Sequence, residues 1–518
     1  MLSYLAVEPP KNEGISRQVA LSTATNYAGR ILNLGVWFGL TPLILHYLGK
    51  TQYGLWALVA SFVAYGNLAD IGVGAALTKY VAEFRARDDS EMASQLIATS
   101  LCMYCVLGFT VIALFSILAP FVPDLINVPA GQRGTASWLV VITALGVAVQ
   151  LPATAAACVL RGLGRFDLMN LIGSLAMVTL AGSTVAVLLL GGRVLAITAL
   201  IVPLTLLWQI PAVWLIRRVA PDLRFGFRGA KRSLARRVTV FGSALFGIQV
   251  AQVLKMQSDE IVIGAALPVR FVAPYSVARK LSAAPGQLAY QFVQVLMPLA
   301  SRLHAQGDEW MLREIYLSGI RLTIALYAAI GGGLIVFAGP FLSAWVGPSI
   351  ASSSNIVVLL TLATFLEAVM SPASSALQGM ARHGPLVYFA LGSAALNLGL
   401  SIALIGPVGV SGVAIATLVA TSLEAAIVLP FAARILGVRL GQVVRQVVLP
   451  GALPLIPMVA VLVLIRDTVA PSTLVTIALS GIAGALVYIA CYLAQPATAS
   501  ERALARRIVA FAGRPLGR

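Results

Sequence analysis

Residues 195–216 read LAITALIVPLTLLWQIPAVWLI, a run without a single charge, and Arg217-Arg218 follow at once. A helix of that length rises about 33 Å, enough to cross the roughly 30 Å hydrocarbon core of a bilayer. Comparable runs recur near 19–48, 52–78, 93–118, 135–160, 168–190, 238–266, 271–298, 315–346, 353–377, 385–405, 410–433, 443–465 and 472–494. The first and ninth are long enough to include an interfacial turn. The chain is 59% hydrophobic and 11% charged, whereas a soluble domain carries about 25% charged residues. These runs predict an all-α polytopic membrane protein of fourteen spans.

The formal net charge of +17 invites a nucleic-acid reading, and the distribution of the bases removes it. With the N-terminus inside, alternating loops place 27 of the 36 Lys and Arg residues on the cytoplasmic side. Lys50, Arg133, Arg193, Arg270 and Arg466 fall outside, and Arg30, Lys255, Arg279 and Lys280 fall within spans. The positive-inside rule accounts for that asymmetry and puts both termini in the cytoplasm. Met1–Arg17 is polar and the first apolar run is too long for a signal h-region, so no cleaved leader is expected. Cys102, Cys105, Cys158 and Cys491 lie in or beside apolar spans. The Cys102-x-x-Cys105 spacing lacks His or acidic neighbours, so packing outweighs redox chemistry.

Segment 217–237 carries eight basic residues and has the look of a join between two halves. Its plainest role is a topology anchor against anionic headgroups. Leu160-x-Gly162-x-x-Arg165 recurs as Leu377-x-Gly379-x-x-Arg382, and Pro120-Phe121 with Pro129 recurs as Pro340-Phe341 with Pro348. Matches that keep their order at one separation imply a duplicated six-span unit, with its copies related by an axis along the membrane normal. The expected organisation is a cytoplasmic tail 1–18, an N-lobe 19–216, the basic linker 217–237 and a C-lobe 238–433. Two further helices (434–494) and a basic tail 495–518 complete it. Two such lobes imply a central cavity.

A charged side chain in hydrocarbon is expensive, so intramembrane Arg30, Lys255, Arg279 and Lys280 mark a cavity, a partner or a substrate path. On the first span Thr23, Asn26, Arg30, Asn33 and Trp37 share one face by their 3–4 spacing. The seventh span carries Gln249, Gln252, Lys255 and Asp259 on one face, with Glu260 beside them. The eighth carries Tyr275, Arg279 and Ser282, then Lys280, Gln287, Gln291 and Gln294. Counted from the turn between these spans, the acids and Arg279-Lys280 lie at a similar depth, about 14 Å at 1.5 Å per residue. Two readings stay open: acids neutralising bases between helices, or an anion site oriented by carboxylates. Arginine and lysine suit phosphate, and amide and aromatic side chains suit sugars. Asp70, Asp259, Glu367 and Glu424 are candidates for an ion relay, with structural hydrogen bonding as the equal alternative. His46, His304 and His383 show no metal-ligand spacing, and no P-loop is present. No cofactor, metal or catalytic residue is expected.

Leu48-Gly49-Lys50-Thr51-Gln52-Tyr53-Gly54-Leu55-Trp56-Ala57, then Leu68-Ala69-Asp70-Ile71-Gly72-Val73-Gly74 and Lys79-Tyr80, resembles the second-helix signature of bacterial polysaccharide flippases. That family lies in the multidrug/oligosaccharidyl-lipid/polysaccharide exporter superfamily, and the resemblance spans most of the chain. It implies two six-helix lobes and export by alternating access across the cytoplasmic membrane. The implied substrate is an oligosaccharide on polyprenyl pyrophosphate, and the implied partners are membrane lipids and polysaccharide polymerase or export machinery. By span, Arg30, Arg279 and Lys280 match the family's cationic cavity. Asp259 and Glu260, beside Lys255, depart from a purely cationic pattern. A drug or cation antiporter of the same superfamily is the nearest rival. A membrane polymerase or glycosyltransferase is a more distant one, because the external loops are short and hold few charges.

Overall fold

The computed structural model describes residues 13–293, 296–382 and 384–498, and side chains from Gly29 onward with some exceptions inside helices. All of it is helix and connecting turn, with no strand among the described residues. Between Ser276 and Val277 the chain divides into two compact units.

The first unit opens with one long helical stretch broken at Gly49 (φ 70°, ψ 171°), giving α1 (13–48) and α2 (50–66). A 3-10 turn over Asn67–Asp70 leads to α3 (Val73–Ala86) and α4 (Ser90–Leu118). Then come α5 (Arg133–Gly162), α6 (Phe166–Leu189), α7 (Ile201–Val219) and α8 (Arg232–Ala266). Helix α9 (Val272–Val293) contains the division. The second unit continues with α10 (Leu296–Gln306), α11 (Glu309–Val336) and α12 (Ser354–Gly379). It ends with α13 (Gly384–Val408), α14 (Val410–Ile435), α15 (Leu455–Val469) and α16 (Leu474–Ala494).

Eleven helical segments among the described residues are long and apolar enough to cross a membrane. One of them, Gly29–Ala86, holds two of the expected spans. The remaining two expected spans are α8 and α9, helices whose hydropathy is diluted by Lys255, Asp259, Glu260, Arg279, Lys280 and their glutamines.

Each unit explains its own copy of the Leu-x-Gly-x-x-Arg motif. In the first, a Cβ on Gly162 would lie 2.9 Å from both the Thr78 carbonyl oxygen and the Val81 Cβ of α3. In the second, a Cβ on Gly379 would lie 2.6 Å from the Met297 carbonyl oxygen and 2.9 Å from the Ala300 Cβ of α10. Both motifs end their helices in the same hydrogen-bonded turn. Arg165 N–H donates to the Leu160 carbonyl at 2.9 Å, and Arg382 N–H to the Leu377 carbonyl at 2.8 Å. Earlier helix starts in each unit also repeat, with Asp89 capping Met92 N at the start of α4 and Asp308 capping Met311 N at the start of α11, each at 3.0 Å.

These turns need a left-handed residue one position past the helix cap, and Gly164 supplies it at φ 72° in the first unit. Ala381 occupies that position in the second at φ 57°. A left-handed alanine costs about 1 kcal/mol or more. Ala381→Gly is therefore expected to raise the melting temperature in detergent, and Gly164→Ala to lower it. Unchanged melting in both variants would show that neither turn limits stability.

The basic segment after α7 is built into the first unit's core. Leu223 and Leu234 are each 3% exposed, among side chains of α3, α4 and α5. Ser94 Oγ accepts the Arg224 N–H and Thr99 Oγ1 accepts the Lys231 N–H, both at 3.0 Å. Asp222 takes hydrogen bonds from Ser90 and Arg85, and these, the serine first, hold its carboxyl below the usual range. Burying each leucine is worth about 1.5–3 kcal/mol, and an exposed ion pair at most about 1. Burial therefore carries most of the attachment.

Candidate functional site

The signature stretch 48–80 becomes a helix interrupted twice. After Gly49, α2 runs so close to the turn before α9 that a Cβ on Gly54 would lie 2.3 Å from the Val269 carbonyl oxygen. The second break follows Gly66, where Ile71 (φ 45°) and Gly72 (φ 74°) reverse the backbone before α3 begins. There the chain crosses α8. A Cβ on Gly72 would lie 2.6 Å from Gly242 Cα, and one on Gly242 would lie 2.2 Å from the Ile71 carbonyl oxygen.

Asp70 sits in this break, half-buried. Its Oδ1 accepts the Gly74 N–H at 3.0 Å and the Tyr104 hydroxyl at 2.7 Å. A carboxylate there satisfies an orphan amide and complements the positive end of α3. In this conformation Asp70 is a cap held by α4.

On α8, Asp259 and Glu260 are 3% and 0% exposed, and the Tyr275 hydroxyl of α9 donates to Asp259. Lys255, one turn earlier, is half-buried, and Gln252 is exposed. Arg30 and Asn33 on α1 are exposed and share one face. Trp37 continues that face, its ring 6.1 Å from that of Trp56. The side chain of Asn26 lies outside the described residues.

In the second unit, Arg279, Lys280 and Gln287 are half-buried on α9. The side chain of Gln291 lies outside the described residues. Glu367 on α12 and Glu424 on α14 are half-buried, and those two helices pack together. The thiols of Cys102, Cys105, Cys158 and Cys491 are free.

Two features go beyond the sequence patterns, which mark only Ser282 among the residues involved. Arg321, which loop assignment groups with the cytoplasmic bases, is 5% exposed inside α11. It donates to the Gln446 carbonyl at 3.1 Å, where residues Val444–Val448 form a π-helical turn. The second feature is a hydroxyl network around α9. Ser282 donates to the Val357 carbonyl at 3.1 Å, and its own carbonyl accepts Thr364 Oγ1 at 2.9 Å. Tyr327 OH joins Thr364 Oγ1 at 2.6 Å and the Thr361 carbonyl at 2.8 Å. The network lies just before Pro285, which removes a backbone donor from α9. Serine and threonine in apolar helices give no periodic signal that would reveal their partners on other helices.

A family model described as "Polysaccharide biosynthesis protein" matches residues 46–354, a stretch that includes both helix breaks and the charged pair α8–α9. The chain belongs to that family. No curated protein matches the sequence.

Solved structures share its fold at low identity. The lipid II flippase MurJ in an inward closed conformation superposes with TM-score 0.72 at 15% identity, covering 94% of this chain and 99% of its own. An inward-facing multidrug resistance MATE family transporter of the MOP superfamily gives TM-score 0.63 at 16% identity, covering 80% and 94%. A MOP superfamily transporter from Pyrococcus furiosus, described as having a binding pocket of reverse polarity, gives 0.56 at 14%, covering 80% and 95%. These identities carry the fold, which is that of polytopic flippases and transporters.

Proposed function

We propose that this chain flips a polyprenyl-pyrophosphate-linked oligosaccharide from the inner to the outer leaflet of the cytoplasmic membrane, by alternating access, with both termini inside. The observation that carries the reading is the match to the polysaccharide biosynthesis family over a stretch that contains intramembrane cations. Arg279 and Lys280 are held half-buried in mid-helix, where a phosphate can meet them partly desolvated. In this reading Arg30, Lys255, Arg279 and Lys280 engage the pyrophosphate, and Asn33, Gln252 and Gln287 meet sugar hydroxyls. Asn26 and Gln291 extend that polar lining by sequence position. Glu367 or Glu424 relays the coupling ion, with Asp70 and Asp259 as further candidates. The flipped product passes to polymerase or export machinery.

A drug or cation antiporter would need acids to dominate its binding surface. Here the acids share the spans with the bases Arg30, Lys255, Arg279 and Lys280, which weakens that alternative.

The test is flipping of a short polyprenyl-pyrophosphate oligosaccharide by the full chain in proteoliposomes. Arg279→Ala and Lys280→Ala are each expected to lower the rate at least about tenfold, the factor that follows from losing a charged hydrogen bond of about 1.5 kcal/mol. Wild-type rates in both would remove the anion site and leave a structural ion pair. Absence of flipping by wild type, together with transport of a cationic drug, would favour the antiporter.

A further inference from the structure

We propose that segment 217–237 is a fixed platform for anionic phospholipid headgroups in the leaflet it faces, rather than a diffuse charge that sets topology. All eight of its bases are exposed, Arg237 being paired with Glu83 at 3.2 Å, while its backbone is held in place by Ser94 and Thr99. Its one acid, Asp222, is engaged by Arg85 and Ser90, so it does not compete for the outward bases.

The arrangement marks an anion. Lys231, Arg232 and Arg236 crowd the first turns of α8, the positive end of that helix, where cations are unfavourable until a negative group joins them. The apolar neighbours fit a bilayer surface. Phe227 is 58% exposed beside Arg228, and Trp214 is 52% exposed with Arg218 stacked on its ring at 4.6 Å. Amphipathic indole and arginine side chains settle at headgroup depth. An aromatic side chain held outward between bases places its ring below the phosphates that those bases bind. A soluble anion would use the cations and leave Phe227 in water, so the partner that fits is a phospholipid. This inference rests on the segment alone and is independent of the transported substrate.

The experiment reconstitutes the full chain in phosphatidylcholine vesicles with trace spin-labelled phosphatidylglycerol or spin-labelled phosphatidylcholine. It reads the ratio of the two motionally restricted fractions. Wild type is expected to favour phosphatidylglycerol, each near-surface cation contributing about fivefold before screening. A variant combining Arg224→Gln, Arg228→Gln and Arg232→Gln, all at exposed positions, is expected to lower the ratio at least threefold. Arg133→Gln with Arg193→Gln, in loops assigned to the opposite side, should leave it unchanged. Leu223→Ser keeps every charge but loosens the attachment, and it too should lower the ratio. A wild-type ratio in the triple variant overturns the proposal. A wild-type ratio in Leu223→Ser reduces it to diffuse charge. Displacement of phosphatidylglycerol by millimolar inorganic pyrophosphate, as complete as in the triple variant, would make this a soluble-phosphate site and also overturn it.

Discussion

Gly242→Ala is expected to leave little folded protein, although alanine is the better helix former. The new methyl would lie 2.2 Å from the Ile71 carbonyl oxygen and 3.1 Å from Gly72 carbonyl carbon, with backbone on both sides of the contact. No side chain can swing away, so α8 or the Gly66–Gly72 break must move by about an ångström. Overpacking a dense interior costs about 1–3 kcal/mol, and backbone against backbone belongs at the upper end. Gly72→Ala meets the same wall and adds about 1–2 kcal/mol for a left-handed residue with a Cβ. It should be the worse of the two. The comparison is yield of monodisperse protein and melting temperature in detergent against Gly173→Ala and Gly392→Ala. A Cβ at either of those positions meets nothing within 4 Å. A Gly242→Ala protein that melts with wild type would show that the crossing is loose.

Arg321→Ala is expected to destabilise by about 3 kcal/mol, the scale for breaking a buried, partnered charge. The guanidinium reaches the π-helical turn through the Gln446 carbonyl, so it ties α11 to the segment that leads into α15. Arg321→Met keeps much of the volume and should recover part of the loss, while Arg321→Lys offers a point charge without the planar fork. Melting temperature separates this residue from the proposed anion site. In Arg321→Ala, flipping and stability should fall together; in Arg279→Ala, flipping should fall while melting holds. Wild-type melting in Arg321→Ala would mean that the turn is held by packing alone.

The helical architecture is legible in the sequence because the bilayer imposes a length and a composition on every span. Even α8 and α9, the least apolar, are marked by their polar residues at helical spacing. The repeated Leu-x-Gly-x-x-Arg turn is legible too, and the contacts under Gly162 and Gly379 give the physical reason for its glycine. Contacts between distant segments are not legible. Asp70 reads as a lone intramembrane acid until Tyr104 and Gly74 are seen around it, and nothing local to Gly72 points to Gly242. Periodicity reports which face a residue occupies and never what lies opposite. Arg321 is misread for a related reason: near the end of a span, a base that anchors to headgroups and one buried against a carbonyl have the same sequence. The chemistry of Arg30, Lys255, Arg279 and Lys280 is legible only as residue type and depth.

The charge carried by α8 bears on how this protein is made. Lys255, Asp259 and Glu260, within one span of α8, each oppose insertion by up to about 3 kcal/mol, while an apolar residue returns only about half a kcal/mol. Alone in the translocon, α8 is a poor membrane segment and would slip back toward water. Its hydrogen bond from Tyr275 comes from the helix synthesised next. The helix made immediately after α8 therefore supplies a partner that lowers this cost, as the Tyr275 hydroxyl reaches Asp259.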